Sequence, residues 1–477
     1  MHDVRAHGAV GDGVTDDTAA VQRAIDACGE TGGTVLFSPG VYRSATLHLR
    51  SRMALRLEQG ATLLGSDNRD DYDPYEELGF KNDADHETSF FRHALLFGEG
   101  LEHVAIVGGG LIDANFTRRG GPKPIALRRC RFVSIRDIHI LNAPNYTISL
   151  LGTDDVHIDG VTILNGYCDG IDPDSCRNVR ISNCRIESID DAIVPKASFS
   201  LGERRACENI TVTNCVLSTV CNGFKLGTES GGGFKRIAVS NCVITGYRDN
   251  RPAISGIALE SVDGGDLDGV VVSNITMDRV RAPIFIRLGN RGRDMETPVP
   301  GALRNVSISN IVATRASFAC SVTGIPDARV QGVTLSDIRV AFVGGNAPHP
   351  VDKPVMELAR VYPEALMFRT LPAYGLFCRH VEGLALRNID FTYADDFWRI
   401  TTDVYRDVAW PDDDGAPAPS EPGEPGLALY CENVRGLRID GFTARQSADG
   451  APLMLLKDAP DALVDGRPAP AEHGATP

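Results

Sequence analysis

One short motif recurs along most of this chain: two alternating apolar residues, then Asn, Asp or Gly, then two more alternating apolar residues. Its polar member falls at Asp137, Gly160, Asn183, Asn214, Asn241, Asn274 and Asn310, with weaker copies at Asp337, Asn388 and Gly441. Successive copies lie 23, 23, 31, 27, 33, 36 and 27 residues apart, then 51 and 53. A repeat of this length signals a stacked architecture, in which no unit can bury its apolar face alone. The period-two alternation of Val, Ile and Leu makes each unit a strand. The chain is therefore expected to be all-β, a solenoid of parallel strands with about ten or more coils. Asn and Gly are poor strand residues, so a polar residue at one place in every copy needs a reason. Inside a coil it can turn the chain and hydrogen-bond to its equivalents above and below. Cys184, Cys215 and Cys242 each follow it directly. With no Cys-x-x-Cys spacing, these thiols read as stacked core residues and not as a metal column.

A solenoid grows by adding rungs, so 477 residues can form one domain, expected over residues 1–463. An N-terminal cap is expected over about 1–32: Thr15-Asp-Asp-Thr18 offers an N-cap, and Val21, Ala24, Ile25 and Cys28 share one helical face. Such a helix would cover unpaired strand edges at the end of the coil. Residues 66–88 read as a loop, and loop insertions are expected at about 344–376 and 394–426, the latter acidic and Pro-rich. Residues 464–477 read as a disordered tail.

The net charge of −15 argues against nucleic acid as a partner. No 18-residue apolar stretch suggests a membrane span. The chain opens without a secretory segment, which points to the cytoplasm, or to secretion if a leader has been removed. Twelve cysteines in this length do not make a disulfide framework. The histidines, among them His349 and His380, show no ligand spacing, so no metal or cofactor is expected. The pattern assigns no oligomeric state.

Two acidic clusters stand out. Asp169 precedes Gly170, Ile171 and Asp172, and the pair Asp190-Asp191 follows one coil later. Stacking would bring these carboxylates to one face about 4.8 Å apart. Adjacent residues of a regular strand point to opposite faces, so Asp190 and Asp191 can both reach a cleft only if the strand begins or bulges there. Asp172 reads as a supporting or turn residue, and Gly170 as a place where backbone approaches substrate or takes a positive φ.

The residues Gly8-Ala-Val-Gly-Asp-Gly-Val-Thr-Asp-Asp-Thr18 and Gly60-Ala-Thr-Leu-Leu-Gly-Ser66 resemble the openings of many right-handed parallel β-helix carbohydrate enzymes. Asp169-Gly-Ile-Asp172 followed by Asp190-Asp-Ala-Ile193 resembles the signature of glycoside hydrolase family 28, the polygalacturonase and rhamnogalacturonase group. The likeness extends over most of residues 4–391. Where that family carries Asn-Thr-Asp, this chain has Tyr167-Cys-Asp169. Asn222 stands where the family has a histidine, and Phe285-Ile-Arg287 keeps one of two family cations.

By this resemblance Asp190 is the general acid and Asp169 and Asp191 hold the attacking water, with inversion at the anomeric carbon. The chemistry needs one protonated and one ionised carboxyl at the same pH, and crowded aspartates supply that split. Lys196, Lys225, Asn222 and Arg287 are candidate sugar ligands; the two lysines can alternatively hold an aspartate ionised. Glu229 and Glu260 can take sugar hydroxyls, and Tyr146 can stack on a pyranose ring or pack in the core. The expected activity is hydrolysis of a pectin-like or related oligosaccharide or polysaccharide, with exo action. The alternatives are a β-helix lyase, transferase or epimerase, and a non-catalytic carbohydrate-binding solenoid.

Overall fold

The computed structural model describes residues 1–248, 251–343, 351–394, 426–445 and 452–469. The acidic Pro-rich insertion and His349 lie outside the described residues. In each coil the alternation of the sequence becomes an alternation of burial. In Arg177–Ser182, Val179 and Ile181 turn inward while Arg180 faces out. Each buried Val or Ile contributes about 1.5–3 kcal/mol relative to leaving it in water. The inward position repeats in register from coil to coil: Val104, Val133, Val156, Val179, Ile210, Ile237, Val270, Val306, Val333 and Leu384 are successive partners. All of these pairings are parallel.

The recurring polar residue is not inside a flat strand but at a corner. Asp137, Asn183, Asn214, Asn241, Asn274, Asn310, Asp337 and Asn388 all have positive φ, between 49° and 58°. Asn and Asp tolerate this left-handed conformation better than other residues with a Cβ. Their side chains then form the expected ladder: Asn310 Nδ2 donates to Asn274 Oδ1 at 2.7 Å, and Asn274 Nδ2 to Asn241 Oδ1 at 3.0 Å. Cys184, Cys215 and Cys242 follow as free, buried thiols, each donating to the carbonyl two residues earlier.

A helix, α1, runs Thr18–Thr31 and buries Ala20, Val21, Ala24, Ile25 and Cys28 against the first strands, His2–Asp3 and Gly33–Phe37. Asp17 stands at its N-cap without capping it. Its carboxylate instead accepts from Val10 N at 2.7 Å and Gly11 N at 2.9 Å, tying the opening loop to the helix. At the other end Leu463–Val464 pairs antiparallel with Arg467–Pro468. The hairpin corrects the expected start of the tail at 464, because the strand finds a ladder partner within four residues. The insertion expected to end at 376 ends earlier, since strand Ala373–Ala394 begins at Ala373. No described helix is long and apolar enough to cross a membrane.

One sheet of the coil carries the acidic residues and their cations along its edge. Its rungs are Lys123–Arg128, Ile148–Leu151, Ile171–Asp174, Asn222–Leu226, Ala253–Ser261 and Val280–Leu288. Between Ile171–Asp174 and Asn222–Leu226 the chain contributes only isolated bridges, Ile193 pairing with Ile171 and Phe224, and Lys196 with Asp174.

Candidate active site

The corner leading into that sheet collects the acidic residues. Strand Arg185–Ser188 ends before Asp190, and Ser188 Oγ donates to the carbonyl of Asp190 at 2.8 Å. Side-chain alternation therefore does not apply to Asp190 and Asp191, which lie in the turn. Gly170 N donates to Asp191 O at 2.9 Å, so Asp169 and Asp191 face each other across one rung. Asp191 N donates to Asp169 Oδ1 and to Asp190 Oδ1, both at 3.1 Å. An oxygen of Asp190 lies within 4.8 Å of Asp169 and, separately, of Asp191. Gly170 has a specific reason to lack a side chain: a Cβ there would stand 2.4 Å from Ala192 O and 2.6 Å from Ile186 Cγ2. It serves rung-to-rung packing, not substrate approach or a positive φ.

Three cations are matched to the three acids. Lys196 Nζ donates to Asp169 Oδ2 at 2.8 Å and also to Asp172 Oδ1. Lys225 Nζ lies 3.2 Å from Asp191 Oδ2, whose Oδ1 accepts from Asn222 N at 3.1 Å and Asn222 Nδ2 at 2.6 Å. Arg119 Nη1 donates to Asp190 Oδ2 at 2.5 Å, while its Nε donates to Glu87 at 3.1 Å. Burial differs sharply among them. The side chains of Asp169, Asp191, Lys196 and Lys225 are 4–5 % exposed, against 25 % for Asp190 and 48 % for Arg119.

The electrostatic consequences separate the acids. Burial pushes the Asp169 carboxyl well above its ordinary range, outweighing the pull of Lys196. Burial acts the same way on Asp190, but the charges of Arg119 and Lys225 overcome it and hold that carboxyl below its ordinary value. Both lysines stay protonated: burial works against the charge, yet Asp169 and Asp172 more than compensate at Lys196, and Asp191 at Lys225. The sulfurs of Cys168 and Cys221 also lie within 4.8 Å of these oxygens. Burial pushes both thiols well up, so neither is a thiolate. With the carboxylates committed to protein cations, this donor set does not fit a metal ion.

Of the sequence-nominated residues, the structure gathers Asp169, Asp190, Asp191, Asn222, Lys196 and Lys225 at one point. Both lysines are paired with aspartates, the second of the two roles open to them: Lys196 with Asp169 and Asp172, Lys225 with Asp191. Tyr146 is buried, its ring 4.3 Å from Lys196 Nζ and its hydroxyl 3.2 Å from Thr88 Oγ1, so it packs beneath the site without offering a stacking face. Glu260 is 4.0 Å from Lys225. Two nominees are engaged by other groups. Glu229 forms a 2.5 Å ion pair with Arg293, while its carbonyl accepts from Ala197 N at 2.8 Å, next to Lys196. Arg287 is 1 % exposed and donates to the carbonyls of Gly324, Glu357 and Leu358. Its guanidinium pins the backbone of Glu357 and Leu358, while Glu260, its partner on the neighbouring rung, stands by Lys225. His380, between Glu357 and Asn433, is likewise structural. Arg119, Glu87 and Tyr362, whose hydroxyl is 3.5 Å from Lys225 Nζ, are site residues that no motif announces. Arg119 and Tyr362 sit in irregular segments and Glu87 in the one-turn helix His86–Ser89, and only the pair Arg118-Arg119 beside two glycines hints at a charged loop.

Comparison with known proteins fits this geometry. Residues 95–353 match the model for glycosyl hydrolases family 28, and residues 1–69 match that for rhamnogalacturonase A/epimerase, pectate lyase-like proteins. The chain is 26 % identical over 367 residues to a probable polygalacturonase of Vitis vinifera, covering 70 % of this chain and 72 % of that one. It is 26 % identical over 393 residues to an exo-poly-alpha-D-galacturonosidase of Dickeya chrysanthemi, covering 67 % and 64 %. The solved exopolygalacturonase of Thermotoga maritima superposes with a TM-score of 0.65 at 20 % identity, over 82 % of this chain and 91 % of its own. That likeness establishes the fold, a right-handed parallel β-helix. With the family match spanning more than half of its length, this chain belongs to the glycosyl hydrolases family 28.

Proposed function

We propose that this glycoside hydrolase removes terminal sugars from a pectin-like oligosaccharide, with Asp190 as general acid. The observation that carries the reading is the convergence of three carboxylates on one corner, of which only Asp190 is open enough to meet a leaving-group oxygen. In the reaction Asp190 gives its proton to the glycosidic oxygen as the bond from that oxygen to the anomeric carbon breaks. A water held by Asp169 and Asp191 attacks the same carbon and passes its proton to one of them, leaving an inverted hemiacetal. Lys196 and Lys225 keep those two carboxylates in place.

Exo action is supported by how the sheet is walled. Across one end, Asp83 N donates to Asp294 Oδ1 at 2.6 Å and Arg293 pairs with Asp85 at 3.0 Å. On the Lys225 side, Asn290 N donates to Ala359 O at 2.6 Å and Tyr362 lies over the lysine. Segments closing a groove on two sides favour a chain end over a chain middle. The relatives acting on galacturonosyl bonds by name support a uronate-containing substrate.

The test is hydrolysis of uronic-acid, rhamnose-containing and neutral furanoside oligosaccharides, with the first-formed anomer followed by NMR. Asp190→Asn should lower kcat on the accepted sugar by about 10²–10⁴-fold with unchanged circular dichroism. Retained anomeric configuration would refute the inverting assignment. Full activity in Asp190→Asn would remove Asp190 from the chemistry, and products absorbing in the ultraviolet would show elimination instead of hydrolysis.

A further inference from the structure

A general acid must be protonated when substrate arrives, yet Asp190 is locked in an ion pair with Arg119. Every group around it bears on this. Arg119 and Lys225 favour its charge, as Lys196 does more weakly. Asp169 and Asp191 crowd it, and Cys168 and Cys221 face it as neutral thiols. Of the three cations, only Arg119 is exposed and comes from a loop rather than a rung. Lys196 and Lys225 are sealed against carboxylates, and Arg287 is turned into the interior. Arg119 is therefore the cation of the site that can change partner. Its Nε is anchored on Glu87 and its Nη1 on Asp190, while Nη2 has no hydrogen-bond partner among the described residues and leaves one edge open.

We propose that Arg119 is a specificity and switching residue: it leaves Asp190 to grip a carboxylate of an anionic sugar, and Asp190, freed of its cation, takes up the proton it will deliver. The inference rests on Asp190 being the acid and deepens that reading by tying activation to the charge of the substrate. The guanidinium matches a carboxylate geometrically, two N–H groups to two oxygens. Transfer keeps its charge paired throughout, and Glu87 steadies Nε while the other edge swings. An uncharged sugar gives Arg119 no reason to move, so the acid stays ionised and the enzyme idle. The device thus selects uronate-bearing chains by chemistry as well as by binding.

The experiment compares the parent with Arg119→Gln and Arg119→Lys on trigalacturonate and on the same trimer methyl-esterified. On the charged trimer Arg119→Gln should raise KM by about 10- to 100-fold, with partial recovery in Arg119→Lys. On the esterified trimer the loss should be absent, and kcat/KM should persist to higher pH because Asp190 no longer carries its cation. Equal losses on both trimers would reduce Arg119 to a structural role and overturn the proposal. Binding supplies an arm independent of turnover: calorimetry of trigalacturonate with Asp190→Asn, where Arg119 is already free, should show at least tenfold tighter binding than with Asp190→Asn/Arg119→Gln. Equal affinities there would also overturn it. If the parent hydrolyses no uronate yet the binding difference appears, the grip stands and the hydrolytic reading fails. If Asp190→Asn is inactive but Arg119→Gln matches the parent on both trimers, the reverse holds.

Discussion

At the scale of single residues, the site is organised by who shares a cation with whom. Lys225 stands 3.2 Å from Asp191 but 4.0 Å from Glu260, and Glu260 Oε2 has no hydrogen-bond partner. Burial accordingly pushes the Glu260 carboxyl up to about 8, more than Lys225 pulls it back. A carboxyl whose folded value lies above its ordinary 4.5 favours the folded state while protonated. That contribution is fully present below about pH 4.5 and is lost as pH rises through about 8. Glu260→Gln should therefore match the parent near pH 4 and melt at higher temperature than the parent near pH 8.5. A melting difference that is the same at both values would show that Glu260 does not hold its proton. Asp190 and Asp169 make the complementary point: two aspartates in one pocket are driven in opposite directions, one by a guanidinium at its open side and one by enclosure.

At the scale of elements, the corners carry as much information as the strands. Gly170 lets one rung lie against the next, and Gly170→Ala must push Ala192 or Ile186 aside. We expect a loss of about 1–3 kcal/mol in urea unfolding. A larger fractional loss of kcat should accompany it, because Asp169 is the adjacent residue and its carboxylate is placed by that same corner. Unchanged stability would mean that the rungs separate freely. The Asn ladder allows a cleaner partition. Asn274 has φ of 58° and bonds to Asn241 and Asn310. Asn274→Gly keeps the backbone comfortable and removes only the side-chain bonds, whereas Asn274→Ala loses both. The alanine variant should be the less stable by about 1 kcal/mol in thermal unfolding. If the two variants melt together, the ladder and not the conformation is what the position supplies.

At the scale of the whole molecule, the stack supplies a rigid sheet and the irregular segments decide what reaches it. Arg287 and Asn290 hold residues 357–359, which carry Tyr362 over Lys225. Replacing residues 359–364 by a short Gly-Ser linker should open that side of the groove. Released products should then lengthen from single sugars to a mixture, read by chromatography of a long oligosaccharide digest; an unchanged product profile would dissociate this segment from exo action. The periodic part of the molecule was legible without coordinates, because a strand that must bury one face imposes alternation on its residues and a corner needing positive φ imposes Asn, Asp or Gly. The same regularity exposed Asp169, Asp190 and Asp191, since residues one coil apart become neighbours. Arg119, Glu87 and Tyr362 had no such signature: they approach the site from loops and a one-turn helix outside the rungs, whose course follows no period. That Arg287 is engaged by backbone carbonyls and Glu229 by Arg293 was hidden for a related reason, because rung register gives the height of a residue but not which groups compete for its charge. The sequence alone determined the coil and the meeting of the acids, through short-range sterics and burial. Which cation pairs with which acid was decided only by tertiary structure, because ion pairing depends on distances between segments far apart in the chain.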